Sequence, residues 1–358
     1  MKTNYILKSL FFAITLIFAS CSGDSNDDSG GGGEAVESIT VSQQFDRDVY
    51  IGDAVFFNVK TNTNSIVTTS ASITINGSSI SGSNYTPQTA GVMTVVATYN
   101  GLTSPPLEIT VLELPTKFAK NVLIEDYTGA WCGYCPRVAY GIEQVELATD
   151  RAVTVAIHRG NTNPSGTNHD PYNFNAATLE DIINLEGYPT AMLNRTTTWT
   201  YPEPSNVNQV VGLAEDGADV GLALTPTLSE NTISLDVKIK FGTETVINPK
   251  LVVYVLEDDL YYDQVNYTSY YGGSSVISNF EHDNVLRACV TDLLGSEIPS
   301  AEVVAENEYT QTISVDVPSN VVNTAKMRVV AFVVNGFNNS VYNARSASFG
   351  DTQTIEEL

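Results

Sequence analysis

Cys132 and Cys135 are separated by two residues in the run Trp131-Cys132-Gly133-Tyr134-Cys135-Pro136, where a strand-like stretch, Val122 to Tyr127, gives way to a helical one. The pattern predicts a strand, a helix from about Cys132 to Ala148, and a second strand from Val153 to His158. A Cys-x-x-Cys at a strand-to-helix junction is a thiol redox signature. A thiol in the first helical turn faces unpaired backbone N–H groups and the positive end of the helix dipole, and both favour thiolate. The spacing brings the second sulfur onto the same helix face, within reach of an S–S bond. A Cys132–Cys135 disulfide is therefore expected, with Cys132 as the exposed nucleophile and Cys135 as the more buried resolving thiol. Val138, Ile142 and Val145 recur at helical spacing and would bury that face. A zinc site would need two further ligands. Cys289 and the three histidines form no paired motif, so no metal and no cofactor are expected. An inert disulfide is the bland counterpart of the redox reading.

The flanks carry a different pattern. From Ser38 to Leu112, short alternating runs (Ile39–Val41, Val55–Val59, Ile73–Ile75, Val92–Ala97, Leu107–Val111) are broken by turns, and Asn76-Gly77 is a strong hairpin signal. This predicts a β-sandwich over 37–113. It resembles the bacterial immunoglobulin-like modules that act as cell-surface spacers. Pro115 ends that unit. Over 116–217 strands alternate with helices, the later ones being helix Asn175–Leu185, strand Thr190–Asn194 and helix Asn206–Ala214. From 218 to 358 alternating runs return, clearest at Leu235–Lys240, Leu251–Val255, Thr312–Val315 and Arg328–Val333, with a short helix expected around Asn284–Leu294. The expected fold class is a multidomain α+β chain: an N-terminal sandwich, a central α/β domain and a C-terminal β-sandwich.

At the N-terminus, Lys2 and Lys8 precede the apolar run Leu10–Ala19, the layout of a secretory signal over 1–20. That run is shorter than the roughly 20 apolar residues a spanning helix needs. Phe18-Ala19-Ser20-Cys21 resembles the lipobox of bacterial lipoproteins, which implies acylation of Cys21. Residues 21–36, acidic and then glycine-rich, read as a flexible tether. An acidic tract at that place resembles the surface-export signal of some Gram-negative lipoproteins. The chain has 17 basic and 41 acidic side chains, a formal charge of −24. Loss of residues 1–20 would leave 15 against 41, or −26. Charged residues are only 16% of the sequence, so the imbalance comes from scarce bases. Such a chain lacks the clustered Lys and Arg that nucleic acids or anionic membrane surfaces require. A lipid-anchored protein of the outer membrane or cell surface is expected.

Two further features bear on the cysteines. Gly187-Tyr188-Pro189-Thr190 precedes a strand, where a proline cannot sit in mid-ladder and a cis proline before an edge strand fits. Asp126 lies six residues before Cys132, and alternation sends only one of Glu125 and Asp126 inward. Together these residues resemble the thioredoxin fold. The resemblance implies that Asp126 is a buried proton acceptor for Cys135, joining the two cysteines as catalytic. It also implies that the loop at Pro189 faces the disulfide. Substrate-binding positions would be Trp131, Gly133, Tyr134, Tyr188, Pro189 and Thr190. The intervening Gly133-Tyr134 also occurs in periplasmic disulfide isomerases, which implies isomerase or reductase work.

Three lesser features remain. His158, His169 and Asp170 bracket a polar loop that reads as an ordinary insertion near the site. Tyr261, Tyr262, Tyr267, Tyr270 and Tyr271 read as a hairpin with cross-strand aromatic packing, or, where exposed, as a recognition surface. Cys289 reads as a buried core thiol on a helical face. His282-Asp283-Asn284-Val285-Leu286-Arg287, taken with the redox motif and the lipobox, resembles the outer-membrane-protein-28-like lipoprotein family over about 115–358. That family implies a surface protein and supplies no settled activity. The leading expectation is a lipid-anchored thiol–disulfide oxidoreductase acting on protein thiol or disulfide clients, with a recycling partner the sequence does not identify. The other is a surface-binding, adhesin- or receptor-like protein that does not use its cysteines in catalysis.

Overall fold

Buried and exposed side chains alternate along Ile39–Gln43 and Val55–Thr61, the period of two that folds such runs into strands with one face inward. The computed structural model describes residues 35–243 and 246–358. It divides into a first unit ending at Glu113 and a second spanning Leu114–Leu358. The signal segment, Cys21 and nearly all of the tether lie outside the described residues.

The first unit holds β1 (Ile39–Gln43), β2 (Val49–Tyr50), β3 (Val55–Thr61), β4 (Ser72–Ile75), β5 (Ser78–Ser79), β6 (Asn84–Tyr85), β7 (Gly91–Tyr99), β8 (Leu102–Thr103) and β9 (Leu107–Leu112). They form a three-stranded sheet, β1-β3-β6, and a six-stranded one, β2-β9-β7-β4-β5 with β8 on β7. Both contribute to one core that includes Phe57, Val59, Ile73 and Val95. The sandwich character expected of this segment is compatible with that arrangement. Asn76 and Gly77, at φ +49° and +82°, make the β4–β5 turn in the left-handed region a two-residue hairpin requires.

The second unit runs β10 (Val122–Thr128), α1 (Pro136–Ala148), β11 (Ala152–His158), α2 (Ala177–Ile182), β12 (Thr190–Leu193), β13 (Thr197–Thr198), α3 (Val207–Leu213), β14 (Val220–Ser229) and β15 (Thr232–Phe241). It continues with β16 (Pro249–Glu257), β17 (Leu260–Val265), β18 (Val276–His282), β19 (Val285–Cys289), β20 (Ser296–Glu297), β21 (Glu308–Asp316), β22 (Met327–Asn335) and β23 (Val341–Ser348). One nine-stranded sheet dominates, ordered β13-β12-β10-β11-β19-β16-β22-β23 with β20 on β16. One face carries α1 and α3 over β10, through Val138, Ile142, Val145 and Val210. Farther along, the same face carries the sheet β14-β15-β21, with Leu222, Val237 and Phe241 packed in one core with Val253, Val329, Ala331 and Val333. The opposite face buries Leu123, Tyr127, Val155, Ile157, Tyr254 and Phe332 beneath α2.

The expected fold class is corrected here. The second unit is mostly β, and no separate thioredoxin-like α/β domain stands apart from a separate C-terminal sandwich. Strands from 116–217 and from 218–358 share the nine-stranded sheet. The physical reason lies at β11. Its outer edge has backbone groups that need partners, and the late strand β19 supplies them by parallel pairing of Ala156 with Val285 and by an Ala156 N–H donated to Asn284 O at 2.7 Å. The helix expected around Asn284–Leu294 is accordingly a strand, β19, and Cys289 is half-buried at its end rather than on a helical face. The helix expected over Asn175–Leu185 shortens to α2.

Candidate functional site

β10 delivers the chain to the cysteines. Cys132 and Cys135 are joined by a disulfide, with Cα atoms 5.4 Å apart. Cys135 is the N-cap of α1, and Pro136 fills the first helical position, where a missing N–H costs nothing. Cys132 therefore sits in the turn before the helix and not in its first turn, so it does not receive the direct helix-terminus contact expected of it. Nor is it the exposed partner: Cys132 is 3% exposed and Cys135 2%.

The cover comes from the β17–β18 hairpin. Gln264 Nε2 donates to Cys132 O at 3.0 Å and to Gly129 O at 3.3 Å. Val265 N–H donates to Ala130 O at 2.9 Å and Tyr267 N–H to Gly133 O at 2.6 Å. The Tyr267 ring meets Tyr134 edge-on at 5.7 Å. Beyond it, Tyr270 stacks on Tyr140 at 4.7 Å, and Tyr271 Oη donates to Glu143 at 2.6 Å. The tyrosine-rich stretch thus packs on the disulfide loop and α1. The tyrosine cluster is legible in the sequence; its place over cysteines far earlier in the chain is not.

On the other side of the loop, Trp131 Nε1 donates to Arg159 O at 2.7 Å, and its ring meets Tyr188 at 5.6 Å. Tyr188–Pro189 is a cis peptide, as is Tyr201–Pro202, which the sequence did not single out. Tyr188 Oη donates to Glu180 at 2.7 Å, and Thr190 Oγ1 to Gly187 O at 2.8 Å. Trp131 and Tyr188 therefore meet on one side of the loop, with Pro189 and Thr190 next in the chain, while Gly133 and Tyr134 are engaged by the hairpin.

Both acids of β10 are buried, contrary to the expectation that only one would be. The strand is covered on both faces, so alternation separates Glu125 and Asp126 into two environments without exposing either. Glu125 faces Arg195, with Nε at 3.1 Å from Oε1, and both side chains are fully buried. Asp126 and Cys135 line one cavity of about 90 Å³, shared with His158, Glu146 and His282. Asp126 Oδ1 has no hydrogen-bond partner among the described residues. Burial first, and then the charge of Glu203, push its carboxyl well above the usual value, against the pull of Arg137.

A carboxyl whose folded-state pKa is raised binds protons more tightly folded than unfolded, so it lowers stability as pH rises from about 3.8 through its raised value. Asp126→Asn should stabilise the protein at pH 7 by about 1–3 kcal/mol, because the amide, though also buried, escapes the cost of burying a carboxylate or of holding its proton. At about pH 3, where the native side chain is neutral, the difference should vanish. Urea midpoints at the two pH values check this.

The polar loop is tied to the same place. His158 Nδ1 lies 2.9 Å from Asp170 Oδ2, which also accepts from Ala130 N–H at 2.8 Å. Tyr172 N–H donates to Asp170 Oδ1 at 2.8 Å. Burial would raise the Asp170 carboxyl, yet His158 and these amides hold it below its ordinary value. Asp170 is thus an anchor between the 159–173 loop and the segment entering the disulfide. His169 is apart from it, half-buried, with Nδ1 2.7 Å from Asn161 O and its ring 5.6 Å from that of Tyr262.

Comparison with known proteins gives this geometry a context. HBP35 of Porphyromonas gingivalis has a similar fold, with a TM-score of 0.51 and 18% identity over 66% of this chain and 77% of that one. A domain of the outer membrane lipoprotein Omp28 from Porphyromonas gingivalis is 21% identical over 38% of this chain and 92% of that one, with a TM-score of 0.26. No curated protein matches the chain. Residues 176–353 match the family described as outer membrane protein Omp28. The matched stretch includes the covering hairpin, cis Pro189, Arg195 and His282, and it stops short of Cys132 and Cys135. Over residues 176–353 the chain is similar to the Omp28 family, and the protein is one of the outer membrane or cell surface.

Proposed function

We propose that this protein binds an extracellular ligand at the cell surface through exposed aromatic side chains, with the disulfide in a structural part. The observation that carries this reading is the contrast at the site. The cysteines are covered by the chain itself, while Tyr201 is 71% and Tyr267 65% exposed, with Tyr134 and Tyr261 also open to solvent. Tyrosine offers a large contact area at little entropic cost, which suits adhesin- or receptor-like recognition. The charge of −24 favours a neutral or basic protein or polysaccharide as the partner and disfavours nucleic acid. Acylation at Cys21 would tether the molecule to the membrane.

The test sets the tyrosines against the cysteines, using a panel of immobilised host matrix proteins and bacterial polysaccharides. Joint replacement of Tyr201, Tyr261 and Tyr262 by alanine should weaken binding by more than about tenfold, as loss of interface anchors does. A Cys132→Ser, Cys135→Ser variant should retain binding. The reading fails if the cysteines, and not the tyrosines, set the affinity.

A second reading is thiol–disulfide exchange with protein clients, favoured by the buried, raised Asp126 in the cavity that Cys135 also lines. In it Cys132 attacks the client disulfide, and a Cys135→Ala variant, with no thiol to resolve the intermediate, would accumulate mixed disulfides with clients.

A further inference from the structure

We propose that the tip of the β17–β18 hairpin, residues 264–271, is a removable strap that closes the Cys132–Cys135 disulfide to attack. The inference does not depend on which ligand the surface takes. Among the described residues, β17 and β18 pair only with each other, forming a two-stranded sheet outside the nine-stranded one. A hairpin of that kind is marginal by itself and is held by what it leans on. Here it leans on the disulfide loop. Gln264 donates to two carbonyls, those of Gly129 and Cys132, and the amides of Val265 and Tyr267 take those of Ala130 and Gly133. These four carbonyls all lie within the turn that contains the nucleophile position. The strap therefore occupies the backbone acceptors that an extended segment from another chain would need, and it leaves Cys132 almost without exposure.

The absence of a side chain at Gly133 is part of the fit. A Cβ there would fall within the Tyr267 ring. The outer anchors, Tyr270 on Tyr140 and Tyr271 on Glu143, fasten the tip to α1. Elements held by a few local contacts open at lower free energy than the whole fold. Strap opening is thus the step that makes the disulfide reducible in the folded protein. With a dithiol as reductant, one thiolate attacks a cysteine sulfur and the S–S bond breaks, giving a mixed disulfide and a protein thiolate that takes up a proton. The second thiol of the reagent then displaces the remaining cysteine. The protein gains two thiols, and the reagent leaves as its cyclic disulfide.

The experiment follows reduction of the full chain by dithiothreitol, quenched with iodoacetamide and read by mass spectrometry at each cysteine. Gln264→Ala and Tyr267→Ala should each raise the reduction rate of Cys132–Cys135 by about tenfold, the effect of losing one or two hydrogen bonds or an equivalent packing contact. Ser278→Ala, on the same hairpin but exposed, should leave the rate unchanged. Cys289, half-buried in β19, reports on the rest of the unit. If its alkylation accelerates in step with disulfide reduction, the variants loosen the whole unit and the strap is overturned. Equal reduction rates in wild type and in both strap variants overturn it as well. Gly133→Ala supplies the converse arm: it displaces the Tyr267 ring without removing any hydrogen-bond donor, and it should accelerate reduction while Cys289 stays protected.

Discussion

Arg195→Met should lower the stability of the second unit by about 3–5 kcal/mol, the cost of leaving one member of a buried ion pair without the other. Against a typical total of about 5–15 kcal/mol, that brings the fold close to its limit. Arg195 sits in the turn after β12, with its side chain fully buried in the core on the α2 side of the sheet. Its Nε bonds both Glu125 oxygens, at 3.1 and 3.3 Å, and its Nη2 donates to Tyr254 Oη at 2.6 Å and Leu293 O at 3.3 Å. The guanidinium also lies 4.7 Å over the Phe332 ring. Burial alone would lower its pKa; Glu125 and Tyr254 more than offset this and hold it charged. Removing it strands the Glu125 carboxylate among Tyr127, Tyr254 and Phe332. Arg195→Lys should recover little, since an ammonium cannot reach all four acceptors as a planar fork does. Glu125→Leu combined with Arg195→Met should recover most of the loss, because the uncompensated charge goes with its partner. Both tryptophans, Trp131 and Trp199, lie in the second unit, so urea unfolding followed by their fluorescence reads this unit alone. A single variant within about 1 kcal/mol of wild type would mean that the pair contributes no more than an exposed one.

Glu125 and Arg195 also mark where sequence reasoning ends. The strands themselves are legible: Leu251–Val255 and Val329–Val333 are apolar runs too continuous for a half-exposed sheet, and both are buried on two faces. The junction at Cys132–Pro136, the helix after it and the Asn76-Gly77 turn follow from local chemistry, which is why their places can be read. Pairing between distant segments cannot. Val285 to Cys289 reads as helix because it is short and apolar, and such runs carry no reliable period. Its partner β11 lies well over a hundred residues earlier, and the pairing joins what the sequence divides near residue 217 into one sheet. The same non-local step brings Gln264 and Tyr267 to the disulfide. A tyrosine cluster signals packing or recognition; only the fold says packing against what.

The last such meeting is between His158 and His282. His282 should make the protein acid-sensitive well above the range in which carboxylates titrate. It is 5% exposed, its Nε2 has no partner among the described residues, and its ring lies 5.1 Å from His158, 5.5 Å from Tyr172 and 5.0 Å from Phe280. Burial first, then the neighbouring His158, lower its pKa from 6.5 to about 3, against the opposing pull of Asp170 and a backbone bond with Tyr262. The unfolded chain therefore binds a proton at His282 that the folded one refuses. Stability is complete above about pH 6.5 and is lost as pH falls toward 3. Between about pH 6.5 and 4.5 the loss from this residue alone should be about 2–3 kcal/mol, rising to roughly 4–5 kcal/mol near pH 3. His282→Phe keeps an aromatic ring in an aromatic cluster and has nothing to protonate. It should be near neutral at about pH 7.5 and more stable than wild type by that same margin at about pH 4.5. Restricting the comparison to about pH 4.5 and above separates it from Asp170 and Glu356, whose lowered carboxyl pKa values place their own losses further down. Parallel pH profiles of the urea midpoint for wild type and His282→Phe would show that the buried imidazole takes its proton without opening the fold, and that the cavity beneath the disulfide admits charge.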